Sequence, residues 1–149
     1  MKRNASGTFN LKFHKNFKYP TYNGKVFFFF DTDPNMVLLS EEDLNQTESN
    51  SIGLTLSKAI PVGRHEIHPG NTFIKTLPDF FEKYEDENGE VIVREKYPAK
   101  NNAGYIDVKK VDIATGVLVA DINFTIQSQF TGETYQAVGK IDVQGWTVP

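Results

Sequence analysis

Three groups of residues in this 149-residue chain have types and spacings that could do chemistry. The first is the segment Lys15-Asn-Phe-Lys-Tyr-Pro-Thr-Tyr-Asn-Gly-Lys25. Aromatic rings on a loop can stack on sugars or bases, and lysines attract phosphate or sulfate. Phe17, Lys18, Tyr19, Tyr22 and Lys25 are therefore the candidate ligand-binding set, and the ligand they imply is anionic or sugar-like. The competing expectation is that these rings plug the open end of a β domain, since large aromatics are mostly buried. If the surface serves an anion, the acidic segments 41–48 and 85–90 should lie away from it, because nearby carboxylates would cancel the field of the lysines.

The second group is Asp31-Thr-Asp-Pro-Asn35, with oxygen ligands at positions 1, 3 and 5 of a calcium loop and Glu42 at position 12. Position 6 is Met36 where such a loop needs glycine, and no flanking helices are predicted. Asp and Asn are also the ordinary turn formers after a strand. A structural turn is the expectation, and Asp31, Asp33, Asn35 and Glu42 are the residues that a calcium site would use. The third group is His65 and His68. Three apart in a strand, they point to opposite faces, which is poor geometry for one metal, and His14 is distant in sequence.

No phosphate-binding glycine loop, nucleophile elbow or His-Glu-x-x-His is present. The absence of cysteine removes disulfides, thiolate catalysis and Cys-ligated zinc. A carboxylate pair for glycoside hydrolysis needs no local motif, and nineteen acidic residues offer no way to choose two. No catalytic residue, resident metal or cofactor is expected. Asn4-Ala-Ser, Asn45-Gln-Thr and Asn123-Phe-Thr match the glycosylation acceptor pattern at about the frequency chance would give.

The elements that must position these residues read as strands. Twelve Phe, six Tyr and one Trp, with many Val, Ile and Thr, favour strands over helices. The length fits one domain, 1–149. The longest apolar run, Val26 to Phe30, is far short of the roughly 20 residues of a spanning helix. The basic start has no apolar stretch behind it and is not a signal peptide. The expectation is a cytoplasmic protein, or an exported one whose leader has been removed. Net charge is −3, unevenly spread: residues 1–30 contain no acid. Pairing of a basic strand with acidic neighbours is the simpler account of that asymmetry.

Thr8 to His14 alternates, with Phe9, Leu11 and Phe13 on one face. Val26 to Phe30 is apolar on both faces, predicting a central strand covered on both sides. A short strand is expected at 36–39, and Ser40 with Asp43 could cap a helical turn. Ile52, Leu54 and Leu56 alternate, and Arg64 to His68 reads as an edge strand.

In 80–96, a two-residue Asn88-Gly89 turn would oppose like charges. A three-residue loop with Gly89 left-handed instead sets Tyr84 against Ile92 and Glu82 against Arg94. A short helix at 79–84 is the competing expectation. The last third predicts a three-stranded meander. Loop Ala114-Thr115-Gly116 would pair Val111 with Val119, Lys109 with Asp121 and Ile106 with Phe124. A two-residue loop at Thr131-Gly132 would set Phe124 over Gly139. The meander's apolar face needs a cover, and the N-terminal strands are expected to provide it. The predicted fold is all-β, an antiparallel β-sandwich of immunoglobulin-like or jelly-roll type, with a closed β-barrel as the alternative.

Gly104-Tyr-Ile-Asp-Val, the Thr115-Gly116 turn and Gly139-Lys-Ile-Asp-Val143 before Gly145-Trp146 resemble the closing strands of small uncharacterised bacterial β-sandwich proteins, many of them cell-surface and lipoprotein-like. The resemblance implies a sandwich and brings no catalytic residue. The lipidated cysteine usual in such proteins is absent here. The expected function is a non-catalytic binding or interaction module with a protein or glycan partner. The alternatives are a structural component of a larger bacterial or phage assembly, and a small hydrolase. Nucleic acid is not among the expected partners.

Overall fold

The computed structural model describes residues 6–14 and 16–148. All regular structure among them is strand: β1 (Ser6–Phe13), β2 (Thr21–Thr32), β3 (Asn35–Asp43), β4 (Glu48–Ser57), β5 (Gly63–Glu66), β6 (Ile74–Thr76), β7 (Phe80–Glu85), β8 (Val91–Tyr97), β9 (Ala99–Asp112), β10 (Val117–Gln127) and β11 (Thr134–Gln144). The composition already pointed this way, because β-branched and aromatic side chains suit a pleated, half-buried surface.

The strands form one antiparallel sheet in the order β5-β9-β10-β11-β1-β2-β3-β4-β7-β8, with β6 added to β4 beyond β7. The sheet is open in its hydrogen bonding, yet its ends come back towards each other. β8 passes through Pro98 directly into β9, which lies near the far end of the order. His65 on β5 packs edge-on against Phe73, just before β6, at 5.3 Å between ring centres. Asn71 donates to the Glu66 carbonyl at 2.8 Å.

The inward residues of the sheet make a single core. Phe9, Tyr22, Phe29, Phe80 and Phe124 are among its largest fully buried members. Trp146 stacks on Phe29 at 4.5 Å and donates its indole N–H to the Ile113 carbonyl. Thr147 brackets the same Phe29 backbone from both sides, accepting from its N–H and donating to its carbonyl.

Several expectations are corrected. The N-terminal strands are not a sheet separate from the meander. β1 pairs with β11 on one side and β2 on the other, so they continue the same sheet. Ser40 to Asp43 is the end of β3, with no helical turn, because Ser40 faces the core and donates to the Ile52 carbonyl of β4. Residues 80–85 are strand.

The β7–β8 turn has Gly89 at φ +78° and sets Tyr84 against Ile92, as expected. A bulge beyond Lys83 then sets Glu82 against Glu95 and not Arg94. The β9–β10 loop has four residues, because the Asp112 carboxylate accepts from the Ala114 and Thr115 N–H groups. Val111 therefore faces Leu118, and Ile122 faces Ile106. Asp121 lies opposite Asp107, while Lys109 pairs with Asp107 along its own strand at 2.8 Å. The β10–β11 loop runs over 128–133, so Phe124 sits opposite Ala137, with Gly104 on its other flank.

Candidate functional site

Val26 to Phe30 is interior to the sheet, but only its inner face is covered. Val26 and Phe29 are buried, whereas Phe27, at a β2 bulge, is 45% exposed. Phe27 opens an apolar groove on the outer face of β2, β3, β4, β7 and β8. It is lined by Phe27, Leu39, Gly53, Phe81, Lys83 and Val93, among others, and has a volume of about 240 Å³. Cross-strand register builds it. Leu39 lies opposite Gly53, Ser51 opposite Phe81, and Lys83 opposite Val93. Gly53 forms the floor: a Cβ there would come within 3.0 Å of the Leu39 side chain.

The rim is charged. Lys25 and Glu41 face each other across β2 and β3 next to Phe27. The Lys96 ammonium lies 5.7 Å from the Phe81 ring centre. Burial, and then a hydrogen bond with Asp43, raise the Glu41 carboxyl above the ordinary carboxylate range.

The candidate set of the 15–25 loop is split by the fold. Lys15 lies outside the described residues. Phe17 is buried, with its ring 4.6 to 5.6 Å from those of Phe13, Tyr19, Phe80, Tyr97 and Tyr135. Tyr22 is fully buried and donates to Ser40 Oγ at 2.8 Å, since the Ser40 hydroxyl is itself spent on Ile52. These two rings fill the end of the core and leave no face for stacking. Tyr19 is half-buried and donates to Glu82, while the Lys18 ammonium sits 2.7 Å from the same carboxylate. Burial, followed by the Glu82 hydrogen bond, raises the Tyr19 phenol far above its ordinary value. Of the two acidic segments, 41–48 comes beside the lysines, with Glu41 opposite Lys25, and Glu82, outside both segments, pairs with Lys18. Of the five residues, Lys25 alone borders the groove.

Glu82 and Glu95, directly opposed on β7 and β8, form a second notable feature. Glu82 is 1% exposed and Glu95 9%. Ser128 donates to Glu95 at 2.8 Å. Glu82 Oε1 has no hydrogen-bond partner among the described residues. Two facing carboxylates are what a small hydrolase would need, but here Lys18, Tyr19 and the Phe17 plug lie over them.

The calcium candidates are dispersed. The Lys58 ammonium reaches Asp31 at 3.0 Å and Asp33 at 3.2 Å, where a cation would sit. This holds the Asp31 carboxyl below its usual range. Asn35 begins β3, and Glu42, near that strand's far end, accepts from the Asn23 N–H. The histidines are spent separately, His65 on the Pro61 carbonyl and His68 on the Gly70 N–H. Asn45 organises the β3–β4 turn, Asn123 is half-buried in β10, and Asn4 lies outside the described residues.

Leu39, Gly53, Phe81 and Val93 escaped sequence reasoning. The one available signal was the two-sided apolar character of Val26 to Phe30, which reads equally well as a strand covered on both faces. Comparison with protein-family models, curated proteins and solved structures found no match.

Proposed function

We propose that this chain is a non-catalytic binding module. Its open sheet folds over one core in the manner of a sandwich, and it takes a protein partner on the outer face of β2, β3, β4, β7 and β8. The observation that carries this reading is the Phe27–Leu39–Phe81–Val93 groove over Gly53. Isolated apolar side chains on a surface are ordinary, but a contiguous apolar trough with a charged rim is the form of an interaction site. Its concavity suits inserted apolar side chains better than a flat sugar ring. Lys83 in its lining and Lys96 beside Phe81 favour carboxylates beside the inserted residues.

The test is selection from a random peptide display library against the wild-type protein, followed by titration against a Phe27→Ser, Phe81→Ser double variant. Selected peptides should carry apolar anchors flanked by acids. They should lose at least about tenfold in affinity, or 1.4 kcal/mol, on the double variant. Peptides that bind both proteins equally would move the site elsewhere. A glycan array on which both proteins bind alike would favour a sugar partner at another surface.

A further inference from the structure

The sheet ends in two unlike edges. β5 is four residues long, whereas β8 runs for seven residues at the far end of the order, with no strand beyond it among the described residues. A free edge is a template for another strand. The Asp86 N–H turns towards β8, donating to the Glu90 carbonyl at 2.9 Å, and the Glu85 N–H turns the other way, donating to the Thr47 carbonyl at 2.7 Å. Hydrogen-bonded and non-bonded pairs alternate along an antiparallel ladder. Val91 and Val93, opposite Glu85 and Lys83, therefore aim their N–H and C=O groups away from β7. These residues are 67% and 48% exposed, and Val93 also ends the apolar groove.

From this edge we infer that the chain dimerises by antiparallel pairing of β8 with β8 of a second copy, about a two-fold axis through Ile92. This register sets Val91 of each copy against Val93 of the other, joining outward backbone groups in four hydrogen bonds. It places Glu90 of each copy opposite Arg94 of the other, on the same side of the sheet as Ile92. Registers displaced towards the C-terminus run into the bulge at Arg94 and Glu95, and one centred on Arg94 opposes two guanidinium groups. Arg94 has the capacity: its Nη1 is held by Glu48 at 2.9 Å and its side chain is 43% exposed, leaving other N–H donors for a second carboxylate. The pairing also brings the two grooves end to end across four valines.

The inference stands independently of the proposed peptide site, and the variants separate the two. Sedimentation equilibrium from micromolar to millimolar concentration should show a reversible dimer for the wild type. Glu90→Arg and Arg94→Glu should each give monomers, and the double charge swap should restore the dimer. Val91→Pro removes an outward N–H while leaving the β7 ladder intact, so it should be folded by circular dichroism and monomeric. A wild type that is monomeric throughout, a folded Val91→Pro protein that still dimerises, or a Glu90→Arg protein that still dimerises would each overturn the inference. Selected peptides should bind the Glu90→Arg monomer undiminished, so loss of the dimer and loss of the groove remain distinguishable.

Discussion

Setting Glu82 opposite Glu95 in a covered position costs free energy unless the neighbours answer the charge. Lys18 and Tyr19 answer Glu82, while Ser128 answers Glu95. Lys18 is half exposed, so its pairing is partly screened by water. Lys18→Met should still cost about 1 kcal/mol by denaturant titration, because it leaves the carboxylate one donor fewer. Lys25→Met, removing a lysine that merely faces Glu41 at the surface, should stay within about 0.5 kcal/mol. Equal losses from the two would mean that Lys18 does not hold Glu82.

Glu41 gives a prediction of opposite sign. Its carboxyl is raised in the folded protein, chiefly by burial, so its ionised form destabilises the native state. That penalty is present above the folded pKa and is relieved as the pH falls through it. Glu41→Gln should therefore melt higher than wild type at pH 7. The gap should close below about pH 4, where the acid is protonated in both states. A constant gap at every pH would show that the gain comes from packing and not from charge.

At the scale of elements, faces were far more legible than partners. Strict alternation located β1, β4 and the inward residues of β10, and the buried sets Phe9–Leu11, Ile52–Leu54–Leu56 and Ile122–Phe124 agree with it. The registers went astray where a short side chain lengthened a loop. Asp112 caps the β9–β10 turn, and the Ser128 hydroxyl accepts from the Phe130 and Thr131 N–H groups in the β10–β11 turn. In β10–β11 the slip was an even number of residues, which changes every partner but keeps every face. Phe124→Ala should accordingly cost about 3–5 kcal/mol in denaturant titration. A loss under about 1 kcal/mol would contradict its full burial beside Gly104 and Ala137. The groove was illegible for a related reason: it depends on Gly53 lying opposite Leu39, and cross-strand adjacency is not written in either strand alone.

For the whole molecule, the acid-free N-terminal stretch lies beside acidic neighbours in the sheet. It meets its counterparts where Lys18 reaches Glu82 and Lys25 faces Glu41. The sheet places β1 in the middle of the order, between β11 and β2, with Phe9 opposite Ile141 and Gly24. β1 is thus an interior strand whose second neighbour, β11, lies far along the chain from it. At a ribosomal pace of roughly 5–20 residues per second, the nascent chain carries the edge of β1 unpaired for on the order of ten seconds. Folding of the two halves into one sheet waits until β11 has been made. A chain cut short before β11 leaves both β1 and β10 as bare edges, ready to pair with whatever strand comes first.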